Sequence, residues 1–319
     1  MKVLVLGASG FLGSWAVRAL CADAHEVVIF QRPSSDGWRL AGMTGIAELK
    51  FAPAEWPREI ERLIPDVILS LDWEGVSAQS RDDPEVQARN LSRQSAIIQA
   101  AIRAGVSRFV GIGSQAEYGR MEGKTAENAL SLPSTEYGRV KVEVLHLLRE
   151  MADAAALEWV WARVFSVYGP LEGNGWLLPV LADSARRRMP MSLTEATQPW
   201  SYLFAADAGT ALATLTSHPG ARGIYNVASP LAEPLRHSLE IFAGALGATD
   251  LLRFGEVTAK SPAGHLDADV SRLVSLGWDP HTTLEAGLEL TASWLTGVPV
   301  ADPFHHERFL PVRPASSFS

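Results

Sequence analysis

Tyr137 and Lys141 are four positions apart and form a pattern that can move a proton. On a helix, residues at this spacing lie on one face, one turn apart. A phenol ordinarily has a pKa of about 10, and a nearby ammonium group favours the phenolate. The sequence therefore predicts that Lys141 lowers the pKa of Tyr137, which could then exchange a proton with a carbonyl or an alcohol oxygen.

Ser114 is the third residue that this chemistry needs. It follows an apolar run over residues 108–112 that predicts a buried strand, so we expect it at the carboxyl edge of a sheet. There its hydroxyl could hold the reacting oxygen. Because a tyrosine and a lysine four apart often occur by chance, the prediction of Ser114, Tyr137 and Lys141 as catalytic residues depends on a glycine-rich segment upstream.

That segment, residues 7–13, reads Gly-Ala-Ser-Gly-Phe-Leu-Gly and joins an apolar run over residues 3–6 to a predicted helix over residues 11–22. Glycines allow a tight turn and a close approach of the backbone to a pyrophosphate, and the N-terminus of the helix offers N–H groups. A plain turn between packed elements is the alternative. The predicted cofactor contacts are Gly7, Ser9, Gly10, Phe11, Leu12 and Gly13.

The second predicted strand, residues 26–30, ends without the carboxylate that often binds the ribose of NAD. Arg32, Ser34 and Ser35 follow it instead. An arginine can pair with a 2′-phosphate through charge-assisted hydrogen bonds, so we predict that NADP(H) is preferred and that NAD(H) is possible. An arginine on a solvated loop is the alternative interpretation.

Strands and helices alternate around these residues. Further strands are expected over residues 67–71, 108–112 and 159–165, and helices over residues 84–104 and 137–151. Apolar strands that alternate with helices predict an α/β fold, a Rossmann-type doubly wound parallel sheet covered on both faces.

After residue 168 this alternation is interrupted. The expected elements there are strands over residues 202–204 and 224–227 and helices over residues 234–246 and 284–295. We therefore predict a smaller C-terminal substrate-binding lobe at the carboxyl ends of the strands. The predicted division is a dinucleotide-binding domain over residues 1–168, to which residues 200–228 return, a lobe made of residues 169–199 and 229–298, and a tail over residues 299–319.

The composition excludes several classes of protein. The 319 residues carry a net charge of −8, and the chain has no basic stripe of the kind that binds nucleic acid. No Cys/His cluster has metal-ligand spacing, and no apolar run reaches the ~20 residues of a membrane span. A single cysteine, Cys21, is in keeping with the cytoplasm. We expect a cytoplasmic enzyme without a metal, a nucleic-acid partner or a membrane partner.

Together the motifs resemble the extended short-chain dehydrogenase/reductase family, also called the NAD(P)-dependent epimerase/dehydratase family, that acts on nucleotide-linked sugars. The resemblance covers residues 1–295. It is carried by the glycine segment, by residues 113–119 around Ser114, by the Tyr137 and Lys141 pair, and by residues 163–170, which read Arg-Val-Phe-Ser-Val-Tyr-Gly-Pro.

The resemblance implies a nucleotide-linked sugar as substrate and a homodimer formed by the long helices that begin near residues 84 and 137. It also implies further site residues. The implied cofactor contacts are Leu71, Asp72, Trp73, Asn90 and Val164, besides Tyr137 and Lys141. The implied substrate contacts are Gln115, Ala116, Ser166, Leu178 and Trp200.

The chain also departs from the family pattern. Gln115 and Ala116 stand where 4,6-dehydratase members carry Asp-Glu, so elimination of water is not expected, and Glu117 stands where an apolar residue is usual. Trp200 replaces an arginine that binds the nucleotide phosphates in many members, whereas an aspartate of the family is retained at Asp207. Residues that could hold the diphosphate instead are Arg186, Arg187, Arg188 and His265, and a solvated helix end is an equal interpretation.

The retained residues fit two reactions, reduction and epimerisation. Because Arg32 favours NADP(H), we expect NADPH-dependent reduction of a nucleotide-linked 4-keto-6-deoxy or dideoxy sugar. A nucleotide-sugar 4-epimerase with tightly bound NAD is the first alternative. A non-catalytic dinucleotide-binding sensor and a reductase of a small ketone without a nucleotide are the others.

Overall fold

The computed structural model describes residues 1–77, 80–258 and 264–297. The strands within these residues are β1 (Lys2–Leu6), β2 (Glu26–Gln31), β3 (Ile46–Lys50), β4 (Val67–Ser70), β5 (Arg108–Ser114), β6 (Lys124–Thr125), β7 (Glu158–Val164), β8 (Ser166–Tyr168), β9 (Met191–Ser192), β10 (Pro199–Trp200), β11 (Tyr202–Phe204), β12 (Gly223–Val227), β13 (Glu233–Pro234), β14 (Leu252–Arg253) and β15 (Asp267–Ala268).

The helices are α1 (Phe11–Ala22), α2 (Trp56–Leu63), α3 (Pro84–Arg103), α4 (Glu136–Ala155), α5 (Leu177–Arg186), α6 (Ala205–Ser217), α7 (Leu235–Ala245), α8 (Ser271–Val274) and α9 (Leu284–Thr296). Short 3-10 helices cover Trp38–Leu40, Pro53–Glu55, Gln115–Glu117 and Thr249–Leu251.

Seven parallel strands form the main sheet in the order β3-β2-β1-β4-β5-β7-β12. This confirms the predicted Rossmann-type doubly wound fold. The strand order reverses between β1 and β4, and ligands of open α/β sheets bind at such a reversal, outside the carboxyl ends of the strands. The glycine segment follows β1 and Asp72 follows β4, so both lie at this point.

Alternate residues of the strands point into two separate cores because side chains alternate across a sheet. Val3 and Val5 of β1 face α1 and α6 on one side. Leu4 and Leu6 face α2, α3 and α4 on the other side. Burial on both faces explains why the strands are apolar throughout.

A smaller lobe has its own core between α5, α7 and α9. Tyr168 of β8 and Phe204 of β11 also belong to this core and connect it to the sheet. Trp200 pairs with β13 in the lobe, whereas Leu273 and Trp278 pack in the core of the sheet. The exact division into a domain and a lobe therefore stays a prediction, and the expected tail over residues 299–319 lies outside the described residues.

The structure contains β3, α2, α5 and α6, which the sequence interpretation does not include. β3 is an exposed edge strand, so its alternation is weak. α5 lies where the sequence analysis found the regular alternation interrupted, and it ends at Arg186. α6 contains Gly209, and because glycine is unfavourable inside a helix, the sequence there does not indicate one. A Cβ atom at Gly209 would lie 2.6 Å from the carbonyl oxygen of Trp15, so the glycine lets α6 pack closely on α1.

Within the residues described above, no helix combines the length and the apolar character that crossing a bilayer requires. In the same part of the chain, no group of three or more His, Cys, Asp or Glu side chains could hold a metal ion.

Candidate active site

The glycine segment forms a tight turn between β1 and α1. Gly7 has a φ of +77°, and a Cβ atom there would lie 2.7 Å from the carbonyl carbon of Leu71 and 2.8 Å from the amide nitrogen of Asp72. A Cβ atom at Gly13 would overlap the carbonyl oxygen of Gly7. Glycine at these two positions therefore lets β1, β4 and α1 approach one another.

The N-terminus of α1 opens at this turn. Gly10 is its N-cap and supplies no side chain to cap the first N–H groups, and its own amide donates to Gly7 O at 3.0 Å. Phe11 and Leu12 are half-buried in the first turn. Uncapped N–H groups and the positive end of the helix dipole suit a phosphate group. The turn therefore fits the pyrophosphate of a dinucleotide.

The end of β2 lies against the glycine segment. The hydroxyl of Ser35 donates to Ser9 Oγ at 3.1 Å, and Arg32 and Ser34 are exposed nearby. Gln31 is 3% exposed, and neither polar atom of its amide has a hydrogen-bond partner among the described residues. A buried amide of this kind is costly unless a ligand or water satisfies it. Gln31 is therefore a candidate cofactor-binding residue. The sequence analysis did not select it, although the end of β2 is where a cofactor ribose is expected.

Buried polar groups hold the loop after β4. Asp72 forms an ion pair with Arg93, whose guanidinium also contacts Glu74 at 2.8 Å. Asn90 accepts a hydrogen bond from the Glu74 N–H and donates to the Glu74 carbonyl, both at 2.9 Å. Desolvation raises the pKa of Asp72, and the positive charges of Arg93 and Arg32 oppose the rise. Asn90 thus shapes this loop, and a direct contact with the cofactor stays a prediction.

Ser114 is the last residue of β5 and lies at the carboxyl edge of the sheet. It is 7% exposed. Its hydroxyl donates to Gln115 Oε1 at 2.6 Å and accepts from the Ala116 N–H at 3.2 Å. The serine is therefore held in place at the sheet edge.

Tyr137 and Lys141 lie in the first turns of α4, next to Ser114. The Ser114 side chain lies close enough to the Tyr137 hydroxyl to influence its pKa. The Lys141 ammonium donates to the Ile112 carbonyl at 2.6 Å and lies 3.5 Å from the ring centroid of Trp73. The Trp73 ring meets the Tyr137 ring edge-on at 5.9 Å. The fold thus brings the three residues predicted from their types and spacing together with Trp73.

Desolvation is the largest influence on the pKa values of Tyr137 and Lys141. It raises the pKa of Tyr137 to about 12, and the hydrogen bond with Ser114 opposes the rise. It lowers the pKa of Lys141 to about 7, and the charges of Glu117 and Asp72 oppose the fall. The predicted lowering of the pKa of Tyr137 by Lys141 is wrong here, because desolvation raises this pKa and Lys141 is not among the groups that shift it. At neutral pH, Tyr137 is a protonated phenol.

A buried ion pair lies next to Ser114. Glu117 and Arg163 are 0% and 2% exposed, and Arg163 Nε lies 2.7 Å from Glu117 Oε2. The same carboxylate accepts hydrogen bonds from the Ser114 N–H at 2.8 Å and from Trp161 Nε1 at 3.0 Å. The sequence reasoning noted Glu117 as unusual without assigning it a role.

Four of the predicted substrate contacts are partly accessible. Gln115, Ala116, Ser166 and Trp200 are half-buried, and Trp200 Nε1 is a buried atom without a partner among the described residues. Leu178 is 1% exposed and packs in the lobe core, so the structure does not bring it to an accessible surface.

The basic residues considered for the diphosphate are engaged elsewhere. Arg186 and Arg187 pair with Asp183 at the end of α5. Arg188 pairs with the exposed Asp250, and His265 Nδ1 accepts the Gly123 N–H. The interpretation as a solvated helix end fits the arginines.

Val164 and Asp207, two further positions of the family pattern, are buried and contact other parts of the fold. Val164 ends β7 and is 8% exposed within the sheet core. The Asp207 carboxylate accepts the backbone N–H groups of His281 and Thr282 at 2.9 and 3.2 Å. Asp207 therefore ties α6 to the segment before α9.

Arg81 is a further residue near Tyr137 that the sequence analysis did not single out. Its guanidinium carbon lies 5.4 Å from the centroid of the Tyr137 ring, and its carbonyl accepts the Tyr137 N–H at 2.9 Å. Desolvation dominates the pKa of Tyr137, and the charge of Arg81 opposes it. No motif marks Arg81, because only the fold brings this loop to the start of α4.

Comparisons with known proteins agree with this architecture. A model of the NAD dependent epimerase/dehydratase family matches residues 3–228. A dTDP-6-deoxy-L-talose 4-dehydrogenase (NAD(P)(+)) from Kitasatospora kifunensis is 27% identical over 94% of this chain and 97% of that protein. A UDP-glucose 4-epimerase from Mycolicibacterium smegmatis is 27% identical over 92% of this chain and 98% of that protein.

The fold also matches solved structures. The UDP-glucose 4-epimerase of Thermus thermophilus, determined in complex with NAD, has a TM-score of 0.80 with this structure at 24% identity. The match covers 94% of this chain and 100% of that chain.

Proposed function

The chain belongs to the NAD dependent epimerase/dehydratase family, and we propose that it catalyses NADPH-dependent reduction of a nucleotide-linked 4-keto-6-deoxy or dideoxy sugar to the hydroxy sugar. One observation carries the proposal. Tyr137 is a protonated phenol whose pKa the Ser114 side chain influences directly, and Ser114 ends β5 at the same carboxyl edge of the sheet where the glycine turn follows β1. A proton donor in this position suits the reduction of a ketone.

The residues of the chain divide the work of the reaction. Ser114 can turn its hydroxyl from Gln115 to the ketone oxygen and so orient the substrate. Tyr137 donates its proton to that oxygen as negative charge develops on it, and the resulting phenolate regains a proton from water. When bound, the dinucleotide supplies the hydride that completes the reduction. The residues that would hold it are those of the glycine turn and the first turn of α1 for the pyrophosphate, and Lys141 for a ribose.

The preference for NADPH is supported by the end of β2. The chain has a neutral amide at Gln31 where a carboxylate would repel a 2′-phosphate, and Arg32 is exposed beside Ser34 and Ser35. Exposed guanidinium and hydroxyl groups are suitable partners for a phosphate.

Arg32→Ala tests this preference. Loss of a charge-assisted contact worth ~1.5–3 kcal/mol should lower the ratio of kcat/KM for NADPH over NADH by about tenfold or more. Arg58→Ala removes another exposed arginine, on α2, and should leave the ratio unchanged. An unchanged ratio in Arg32→Ala would show that Arg32 belongs to a solvated loop.

The reaction itself is tested by incubating the protein with NADPH and a panel of 4-ketosugar nucleotides. We expect steady consumption of NADPH and, by NMR, a hydroxy sugar with deuterium at C4 when the cofactor is deuterated. Interconversion of two sugar nucleotides without net consumption of NADPH would contradict reduction.

A 4-epimerase is the second candidate, and the similarity to the M. smegmatis UDP-glucose 4-epimerase favours it. An epimerase returns the hydride within one turnover and retains its NAD. Denaturing the purified protein and measuring the released dinucleotide separates the two reactions. About one equivalent of NAD per chain would favour epimerisation.

A further inference from the structure

Glu117 is a buried acidic residue to which the proton transfer described above assigns no role. It closes the 3-10 turn Gln115–Glu117 that follows β5. Its carboxylate receives the Ser114 N–H, the Trp161 indole N–H and the guanidinium of Arg163, all within 3.1 Å. Three donors, one of them a guanidinium, therefore converge on this one buried carboxylate.

The packing next to Ser114 leaves room for this carboxylate. A Cβ atom at Gly113 would overlap both Glu117 Oε1 and Trp161 Nε1. A Cβ atom at Gly111 would lie 2.5 Å from the Trp161 ring. Two glycines on β5 therefore permit the indole and the acid to lie directly against the strand that ends in Ser114.

We propose that Glu117 is a positioning residue for the reaction, which holds the backbone of Ser114 and keeps a buried negative charge behind Tyr137 and Lys141. The inference rests on the proposed function, since it gives this charge a part in the proton transfer. A charge in a buried environment acts over a longer distance than one in water because the effective dielectric constant is lower.

The pKa values of Tyr137 and Lys141 support this role for Glu117. Besides desolvation, the charge of Glu117 raises the pKa of Tyr137, which favours the protonated phenol that a reduction needs. Desolvation lowers the pKa of Lys141, and Glu117 is the largest influence that opposes it. One acid thus favours the proton-bearing form of both groups.

Other groups also influence Tyr137 and Lys141. Asp72, from the loop after β4, opposes the fall in the pKa of Lys141 less strongly than Glu117 does, and it is paired with Arg93 as Glu117 is with Arg163. Arg81 faces Tyr137 and opposes the rise in its pKa. The Trp73 ring covers the Lys141 ammonium and carries no charge.

The test compares the titration of Lys141 in the wild type and in Glu117→Gln. The glutamine oxygen can still accept the Ser114 N–H, but the negative charge is gone. In cofactor-free protein labelled with 13C at lysine Cε, we expect the Lys141 midpoint to fall by about 0.5 pH units or more. The alkaline limb of kcat/KM for the ketosugar, on which the proton-bearing forms are lost, should move in the same direction.

Two additional variants keep the test decisive. Glu117→Gln leaves the buried Arg163 without its partner, so the double variant Glu117→Gln/Arg163→Gln removes both charges and should lower the midpoint without unfolding. The matched control is Glu127→Gln. Glu127 is also buried, its carboxylate accepts the Asn226 N–H, and it is not among the described charges that shift Lys141 or Tyr137.

An unchanged Lys141 midpoint in a folded Glu117 variant, or an equal fall in Glu127→Gln, overturns the proposal. The titration needs no substrate, so this outcome is separate from the fate of the proposed function. If the midpoint falls as expected but the wild type reduces no ketosugar, the charge of Glu117 acts on Lys141 as inferred and the proposed reduction is wrong.

Discussion

Tyr137 shows that the same residue types can act through different physics. The spacing of Tyr137 and Lys141 suggested a phenol made acidic by an ammonium group, whereas in the structure desolvation is the larger effect on both. A protonated phenol can give its proton to a ketone directly. The expected geometry is therefore kept, but burial makes Tyr137 a proton donor rather than a phenolate, and this suits the reduction of a ketone.

Tyr137→Phe tests the proton donor. Removing the hydroxyl should lower kcat by about 10²–10⁴-fold, the usual contribution of a general acid, while NADPH still binds. Consumption of NADPH with the ketosugar measures the rate, and fluorescence of bound NADPH measures the affinity. Tyr225→Phe is a control, since this buried tyrosine lies on β12 and its hydroxyl accepts the Arg222 N–H. Equal rates in wild type and Tyr137→Phe would support the sensor alternative.

Lys141 should make stability depend on pH. Its pKa is about 7 in the folded protein and 10.5 ordinarily, so the unfolded chain binds more protons between these values. Stability should therefore rise with pH across this window. Between pH 6 and pH 10, the unfolding free energy of the wild type should rise by on the order of 4 kcal/mol relative to that of Lys141→Met. Urea unfolding of both proteins at several pH values measures this, and parallel curves would contradict it.

At the scale of elements, the close approach of α1 to β1 depends on Gly13. Gly13→Ala would bring its Cβ atom into overlap with the Gly7 carbonyl oxygen, so α1 must shift. We expect a loss of ~1–3 kcal/mol in unfolding free energy and a large loss of dinucleotide affinity. Urea unfolding and NADPH titration measure the two effects.

Gly244→Ala is the matched control for that variant. Gly244 lies in α7, and no heavy atom lies within 4 Å of a Cβ atom built there. In a helix such a change should stabilise by ~0.4–1 kcal/mol and leave cofactor binding unchanged. Similar losses in both variants would show that the glycine segment has no special packing role.

The sequence predicted those elements whose patterns depend on local packing. Except for the exposed edge strand β3, the strands of the central sheet and the helices α1, α3 and α4 have continuous apolar faces, and their predicted ends lie within a few residues of those observed. α6 escaped prediction because its small residues suit contact with α1, which is distant in sequence. The contacts of Arg81 with Tyr137 and of Glu117 with Trp161 and Arg163 likewise come from distant segments, so no local motif marks these two residues.

At the scale of the whole molecule, Asp207 joins α6 to the chain that enters the lobe. Asp207→Asn replaces one of the oxygens that accept the His281 and Thr282 N–H groups with an amide donor. We expect a loss of ~1–3 kcal/mol in unfolding free energy by urea denaturation. Asp250→Asn, which breaks an exposed ion pair with Arg188, should change it by less than ~1 kcal/mol. Equal effects would show that the buried contacts of Asp207 contribute little.

The homodimer through α3 and α4 stays a prediction. Among the described residues, none of the large apolar side chains that are exposed lies on these two helices. Polar helix faces are typical of weak contacts. We therefore expect sedimentation velocity to show a mass that rises with protein concentration rather than a constant dimer.

The path of the chain has a consequence for biosynthesis. The cofactor-binding sheet receives its last strand, β12, and the covering helix α6 only after the polypeptide has passed through α5. A nascent chain that has emerged from the ribosome as far as residue 168 still exposes the apolar face of α1 that α6 will cover. The residues up to 168 therefore do not form a complete folding unit. If the protein is expressed as two fragments, the first fragment must extend beyond residue 228 to contain α6 and β12.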